Sequence, residues 1–98
     1  MNHPKVSVAI PTYNRIKLLK RAVESVKIQN YSNIEIVISD NCSDDLTTQY
    51  LETLQDDPTI VINQNSHNIG MVKNWDKCLE LSSGEFFLLM SDDDFFIE

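Results

Sequence analysis

Three carboxylates stand in a row at Asp92-Asp93-Asp94, directly behind the apolar run from Phe86 to Met90. Taken alone such a run is a solvated acidic loop. Side by side behind a buried strand, however, the three groups repel one another and their pKa values rise unless a cation is present. Hard oxygen ligands of this kind suit Mg²⁺ or Mn²⁺, ions that complete their coordination with water and substrate phosphate. Asp40 lies behind another apolar run, Ile34 to Ile38, within Asp40-Asn41-Cys42-Ser43. It reads either as the cap of a turn or as a strong acceptor for a base N–H or a ribose hydroxyl. Tyr13 follows Pro11-Thr12 and is either a core aromatic or a surface on which a planar base stacks. Arg15 and Lys73 fall near helix starts, where backbone N–H groups favour anions; each can reach a diphosphate and each is equally an ordinary surface charge.

These residues are set by an alternation of two periods. Val6 to Ile10 is a β-branched run closed by Pro11; Ile34 to Ile38, Ile60 to Ile62 and Phe86 to Met90 are three more. All four are apolar through most of their length, as strands covered on both faces are. Between them Ile16, Leu19, Val23 and Val26 recur at helical spacing, with Asn14 placed as N-cap of a helix over 15–28. Leu46, Tyr50 and Leu54 form a second stripe, capped by Ser43 or Asp44. Met71, Trp75, Cys78 and Leu79 form a third, with Trp75 and Cys78 expected in the core. It ends at Ser82-Ser83-Gly84, where glycine suits a left-handed C-cap. Asn63 to Asn68 reads as a turn-rich loop, with Gly70 permitting close backbone approach.

The order β-α-β-α-β-α-β predicts an α/β, Rossmann-like domain over 1–98 with a four-stranded, mostly parallel sheet and helices on its faces. The 23 residues from Pro11 to Asn33 exceed what a crossover needs. Ligands of such sheets bind beyond the carboxyl ends of the strands, where strand order reverses. All four strands here end in polar residues, whereas their starts carry only Lys5, Asn33, Thr59 and Glu85.

Composition narrows the class. With 8 Lys+Arg against 15 Asp+Glu the formal charge is −7, which repels a phosphate backbone and excludes general nucleic-acid binding. No apolar run approaches the ~20 residues that span a bilayer, and the first residues lack a signal peptide's apolar region. Cys42 and Cys78 form neither a disulfide framework nor a metal site, which fits a reducing cytoplasm.

Four segments also carry a resemblance. Val6 to Asn14 resembles the opening strand and loop of family 2 glycosyltransferases of the GT-A fold. Ile38-Ser39-Asp40-Asn41-Cys42-Ser43-Asp44-Asp45 is similar to their V-D-D-x-S-x-D-x-T segment, and Asn68-Ile69-Gly70 with Lys73-Asn74 to their N-x-G-x-x-x-[RK]-N helix start. Gly84-Glu85 through Asp94 looks like the G-E-[YF] strand that ends in the DXD motif. The resemblance implies the donor-binding half of a GT-A fold. The nucleotide-binding residues would then be Pro11, Thr12, Tyr13, Asn14, Asp40, Lys73 and Asp92. Asp93 would lead the metal ligands, with Asp92 and Asp94 beside it, holding Mn²⁺ or Mg²⁺. Ser91 and Ser39 replace the first aspartate of their respective motifs. The activity implied is metal-dependent, inverting transfer from a nucleotide-diphosphate sugar, a uridine donor favoured, to a glycan or lipid-linked acceptor. The acceptor pocket and general base are expected from a later half that these residues do not include. Localisation is expected to be cytoplasmic, with peripheral association at the inner membrane face as a variant. Strand 4, the most apolar, would expose an unpaired edge through which the chain self-associates. The competing reading is a non-catalytic Mg²⁺- or nucleotide-binding α/β module of the flavodoxin-like or response-regulator type. Strand 3 ends in Asn63-Gln64-Asn65 rather than a phosphoacceptor aspartate, which counts against it.

Overall fold

A computed structural model of the chain describes residues 3–94. The strands are β1 (Val6–Thr12), β2 (Ile34–Asp40), β3 (Ile60–Gln64) and β4 (Phe86–Leu89). The helices between them are α1 (Ile16–Lys27), α2 (Thr47–Glu52) and α3 (Met71–Leu81). The sheet runs β3-β2-β1-β4 and every pairing is parallel. The chain winds outward from β1 to β3, then crosses back over β1 to lay down β4. Strand order therefore reverses between β1 and β4.

Alternate strand residues face opposite sides. Val8, Ile10, Ile36 and Ile38 face α1 and α2, where Leu19, Ala22, Val23, Val26, Leu51 and Leu54 complete the main core. Ala9 and Val37 face α3 and meet Cys78, with Val61 and Leu81 at the margin. The α3 side is thin in apolar contacts, and its ends are closed by polar networks instead. At the carboxyl end, Asn74 Nδ2 donates to the Ser39 carbonyl at 3.0 Å, and its Oδ1 accepts from Ser39 Oγ at 2.7 Å and Asn65 Nδ2 at 2.9 Å. At the amino end, Glu35 is buried and accepts from Ser7 Oγ, Ser83 N and Ser83 Oγ at 2.7, 3.0 and 2.9 Å, with Lys5 Nζ at 3.3 Å. Burial pushes the Glu35 carboxyl up, but the Ser7, Ser83 and Lys5 bonds outweigh it and leave the pKa lowered.

Several expectations are corrected. β1 does not end at Pro11 but continues to Thr12, which pairs with Asp40. Ala9 accepts from Met90 N and Thr12 from Asn41 N, so Pro11, two residues after Ala9, turns its missing donor toward the β4 side. β4 has ended opposite Ala9, so no ladder bond is lost there. β4 is not covered on both faces: all four of its residues are exposed, because it lies at the sheet edge. Neither Asn14 nor Ser43 nor Asp44 caps a helix through its side chain. That work falls to Asp45, whose Oδ2 accepts from Ile16 N at 3.3 Å and whose Oδ1 accepts from Thr47 N at 2.9 Å. One carboxylate thus serves the starts of both α1 and α2. The two glycines exchange their expected roles. Gly70, with φ +89°, supplies the left-handed turn into α3 and has open space around its Cα. Gly84 is the site of close approach, since a Cβ there would lie 2.7 Å from Ser7 Oγ and 2.8 Å from Lys5 O.

Candidate functional site

Because β1 outruns β4 by three residues, the sheet splits at its carboxyl edge at the point where strand order reverses. A cavity of about 490 Å³ opens there. Pro11, Thr12 and Tyr13 line it from the end of β1, Arg15 from the start of α1, and Leu89, Ser91, Asp92 and Asp94 from the end of β4. Asn41 lines it from the loop after β2; Asn68, Met71, Asn74 and Trp75 do so from α3 and the loop before it. One wall is therefore charged and the other is aromatic and aliphatic, the pattern of a small-molecule site.

The charged wall is anchored in the sheet. Asp92 is buried, its Oδ2 accepting from Thr12 Oγ1 at 2.9 Å and its Oδ1 lying 3.4 Å from Arg15 Nη1. Burial raises the Asp92 pKa, the Thr12 and Arg15 contacts oppose this, and Asp93 adds to it; the net direction is up. Asp93 is half exposed and is not among the residues that line the cavity. Its carboxylate accepts from Ser91 Oγ at 2.6 Å, which holds its pKa below the usual range, and its carbonyl accepts from Arg21 Nη2 at 2.9 Å. Among the described residues no three His, Cys, Asp or Glu side chains converge as a preformed metal cage.

Of the residues singled out in the sequence, Pro11, Thr12, Tyr13, Asp92 and Asp94 thus come together. Asn14, Asp40, Lys73 and Asp93 are not on the cavity wall. Asp40 is buried at the end of β2 and accepts from Ser43 Oγ at 2.5 Å and Ser43 N at 3.3 Å, the turn-capping arrangement. Asn14, with φ +51°, ties the loop after β1 to the loop after β2: its N–H donates to Ser43 Oγ and its Oδ1 accepts from Asp44 N, both at 2.8 Å. Lys73 lies on the outer side of α3, in a separate groove with Asp76, Lys77 and Glu80.

Sequence reasoning missed the amides and the second aromatic. Asn41 Oδ1 accepts from Ile69 N and Asn65 Nδ2, and its Nδ2 donates to Asn68 Oδ1, locking the loop before α3 onto β2. The stretch expected as a loop over 63–68 is strand as far as Gln64, where β3 ends, and Asn65 to Asn68 then form an ordered polar network. Trp75, expected in the core, is 37% exposed on the cavity wall, whereas Cys78 is fully buried and its thiol is pushed up to about 11 by burial. The one signal in the sequence was Trp75's place a single turn after Met71, on the edge of the apolar stripe.

Comparison with known proteins places this geometry in context. The profile of the family described as Glycosyl transferase family 2 matches residues 7–98. A Campylobacter jejuni protein named GalNAc(5)-diNAcBac-PP-undecaprenol β-1,3-glucosyltransferase is 38% identical over 94 residues, which cover 93% of this chain and 30% of that protein. The crystal structure of Staphylococcus aureus TarS 1–349 in complex with UDP superposes with a TM-score of 0.84 at 32% identity, covering 93% of this chain and 28% of that one. A Pyrobaculum calidifontis mannosyltransferase in complex with GDP-Man and Mn²⁺ superposes equally well, TM-score 0.84, at 22% identity, covering 94% of this chain and 28% of that one; at that identity the likeness is one of fold. The chain spans about a third of the length of the curated relatives it matches.

Proposed function

The chain belongs to glycosyl transferase family 2, and from that premise we propose that its switch-point cavity binds a nucleotide-diphosphate sugar for metal-dependent, inverting transfer to a glycan or lipid-linked acceptor. The observation that carries this reading is the buried Asp92, bonded to Thr12 across the split between β1 and β4 on the cavity wall. Uridine is the favoured base. The UDP complex of the staphylococcal relative supports it. Tyr13 offers the stacking face, with Thr12 and Pro11 beside it on the cavity wall; Asn14 and Asp40 shape the loops that bound the base side. Lys73, on the far side of α3, is the weakest member of the predicted set. The undecaprenol-linked acceptor named for the Campylobacter relative supports a lipid-linked acceptor and work at the inner membrane face. Among the described residues no helix is long and apolar enough to cross a membrane.

The donor set fits a hard divalent cation. Asp92 and Asp94, two residues apart, are both on the cavity wall and offer oxygens only, and burial of Asp92 makes its charge costly until a cation answers it. We assign Mn²⁺ or Mg²⁺ to this pair, with Asp93 adding negative charge from outside. When bound, the cation neutralises the charge that develops on the departing diphosphate. The chain's own residues do the rest. Thr12 fixes the Asp92 carboxylate, Arg15 adds positive charge to a chain of net −7, and Met71, Trp75 and Leu89 keep one side of the cavity apolar. An acceptor hydroxyl attacking opposite the diphosphate would invert the sugar's reacting carbon, and no residue described here is assigned as its base.

Isothermal titration with UDP and GDP, with and without Mn²⁺, tests the reading. UDP is expected to bind only with the metal, and more tightly than GDP. Asp92→Asn is expected to weaken binding by about tenfold or more, the cost of a lost charge-assisted contact. Metal-independent binding would remove the cation from the proposal; no nucleotide binding at all would remove the donor.

A further inference from the structure

Asp92 spends both carboxylate oxygens inside the protein. Oδ2 takes the Thr12 hydroxyl at 2.9 Å, and Oδ1 faces Arg15 Nη1 at 3.4 Å. That same nitrogen lies 3.9 Å from Asp93 Oδ2, so one end of the guanidinium is stretched over two carboxylates rather than forked onto one. The two partners differ in freedom. The Asp92 side chain is 7% exposed and held by β1, whereas the Arg15 side chain is 52% exposed on the cavity wall. The carboxylate is fixed and the guanidinium can turn. Arg21, the other cation at this acidic loop, is engaged with the Asp93 carbonyl.

We propose that Arg15 is an exchangeable counter-ion: it neutralises Asp92 while the cavity is empty and turns to the diphosphate when the nucleotide enters, yielding Asp92 Oδ1 to the divalent cation. The inference rests on the metal–diphosphate reading above. Two cations against one oxygen repel, so a metal arriving alone must displace Arg15 into solvent with nothing in return. A diphosphate changes that balance, because it presents paired oxygens that a planar guanidinium binds better than the single-nitrogen contact it leaves. Metal and nucleotide then favour each other's binding, and by linkage the coupling is reciprocal.

The test compares the chain with Arg15→Gln and Arg15→Lys. Mn²⁺ alone is titrated by the electron paramagnetic resonance signal of the free ion, and UDP at saturating Mn²⁺ by calorimetry. In Arg15→Gln, Mn²⁺ alone is expected to bind about fivefold tighter, the scale of a partly exposed ion pair, and UDP about tenfold more weakly. Arg15→Lys, which keeps charge but lacks the fork, is expected to fall between on both. Should Arg15→Gln melt out, the lysine variant carries the same signs. Unchanged or weaker Mn²⁺ binding in the variants overturns the exchange while leaving Mn²⁺-dependent UDP binding intact. Wild-type protein that binds neither Mn²⁺ nor UDP overturns the metal–diphosphate reading and the exchange with it.

Discussion

Asp92 is held where its charge costs the fold something, on the end of a sheet with one hydroxyl and one loose guanidinium for company. Sites arranged for a ligand often carry such a cost, and relieving it stabilises the protein while removing function. The sign follows from the raised pKa. A carboxyl whose folded pKa exceeds its unfolded one stabilises the fold least when ionised, and the penalty disappears as the pH falls below the ordinary carboxylate range. Asp92→Asn keeps an oxygen for the Thr12 hydroxyl and leaves only a half-exposed Arg15 unpaired, which is cheap. The variant is therefore expected to be more stable at pH 7 by about 1 kcal/mol, or roughly 4–8 °C in Tm for a domain this size. The gap should close by about pH 3, where both states are protonated. Differential scanning calorimetry at the two pH values checks it; an Asp92→Asn protein less stable than wild type at pH 7 would show that the Arg15 contact outweighs burial. That the acidic run would stand at the cavity mouth was legible in the sequence, because it follows an apolar strand at the carboxyl edge of a parallel sheet. Which of the three line the cavity was not, since that depends on Ser91 engaging the Asp93 carboxylate and Thr12 holding that of Asp92.

The strands were legible for a local reason: β-branched runs bounded by polar residues declare themselves within five or six positions. Helix starts did not, because the group that caps α1 comes from Asp45, 29 residues beyond Ile16 and in a different loop. The amino-edge clasp was hidden in the same way. Glu35 sits unremarked inside the apolar run Ile34 to Ile38, yet Ser83, 48 residues on, and Lys5, 30 residues back, converge on it. That clasp fixes where α3 ends and β4 begins, and thereby where Asp92 arrives. Gly84 is its tight point: its N–H donates to Ser7 Oγ at 2.8 Å, and a Cβ there would press on Ser7 N and Lys5 O, both at 2.8 Å and both backbone. Gly84→Ala must therefore push β4 away from β1. The expected loss is about 2 kcal/mol, the usual scale for overpacking, read as a lower urea midpoint with an unchanged slope. Gly70→Ala, free of clashes but held at φ +89°, ψ 158°, a region essentially only glycine adopts, is expected to cost about 1–3 kcal/mol. If Gly84→Ala leaves the urea midpoint unchanged, the clasp does not set β4.

At the level of the whole molecule, the radius of gyration of 12.7 Å matches a fully packed chain of about 100 residues, yet among the described residues the β4 edge of the sheet is left uncovered. Phe86, Phe87, Leu88 and Leu89 are 60%, 38%, 42% and 38% exposed, and Leu79, Val72 and Met71 add to the apolar surface on α3. Among the described residues β4 pairs only with β1, so its other edge presents unpaired backbone donors and acceptors. An apolar strand edge with both faces open is a template for another strand. The curated relatives are about three times as long as the chain's match to them, so in such proteins other segments are available to meet this side. For the 98-residue chain itself the available partner is a second copy. Self-association is therefore expected to appear by light scattering as the concentration rises. A lysine in place of the most exposed residue, Phe86→Lys, puts a charge on that edge and is expected to weaken it by about tenfold, or ~1.4 kcal/mol. Because Phe86 makes little of the core, the variant should keep the wild-type circular dichroism spectrum and urea slope. A wild-type chain that stays monomeric at high concentration would show that the twist of a four-residue strand is enough to keep its edge from pairing.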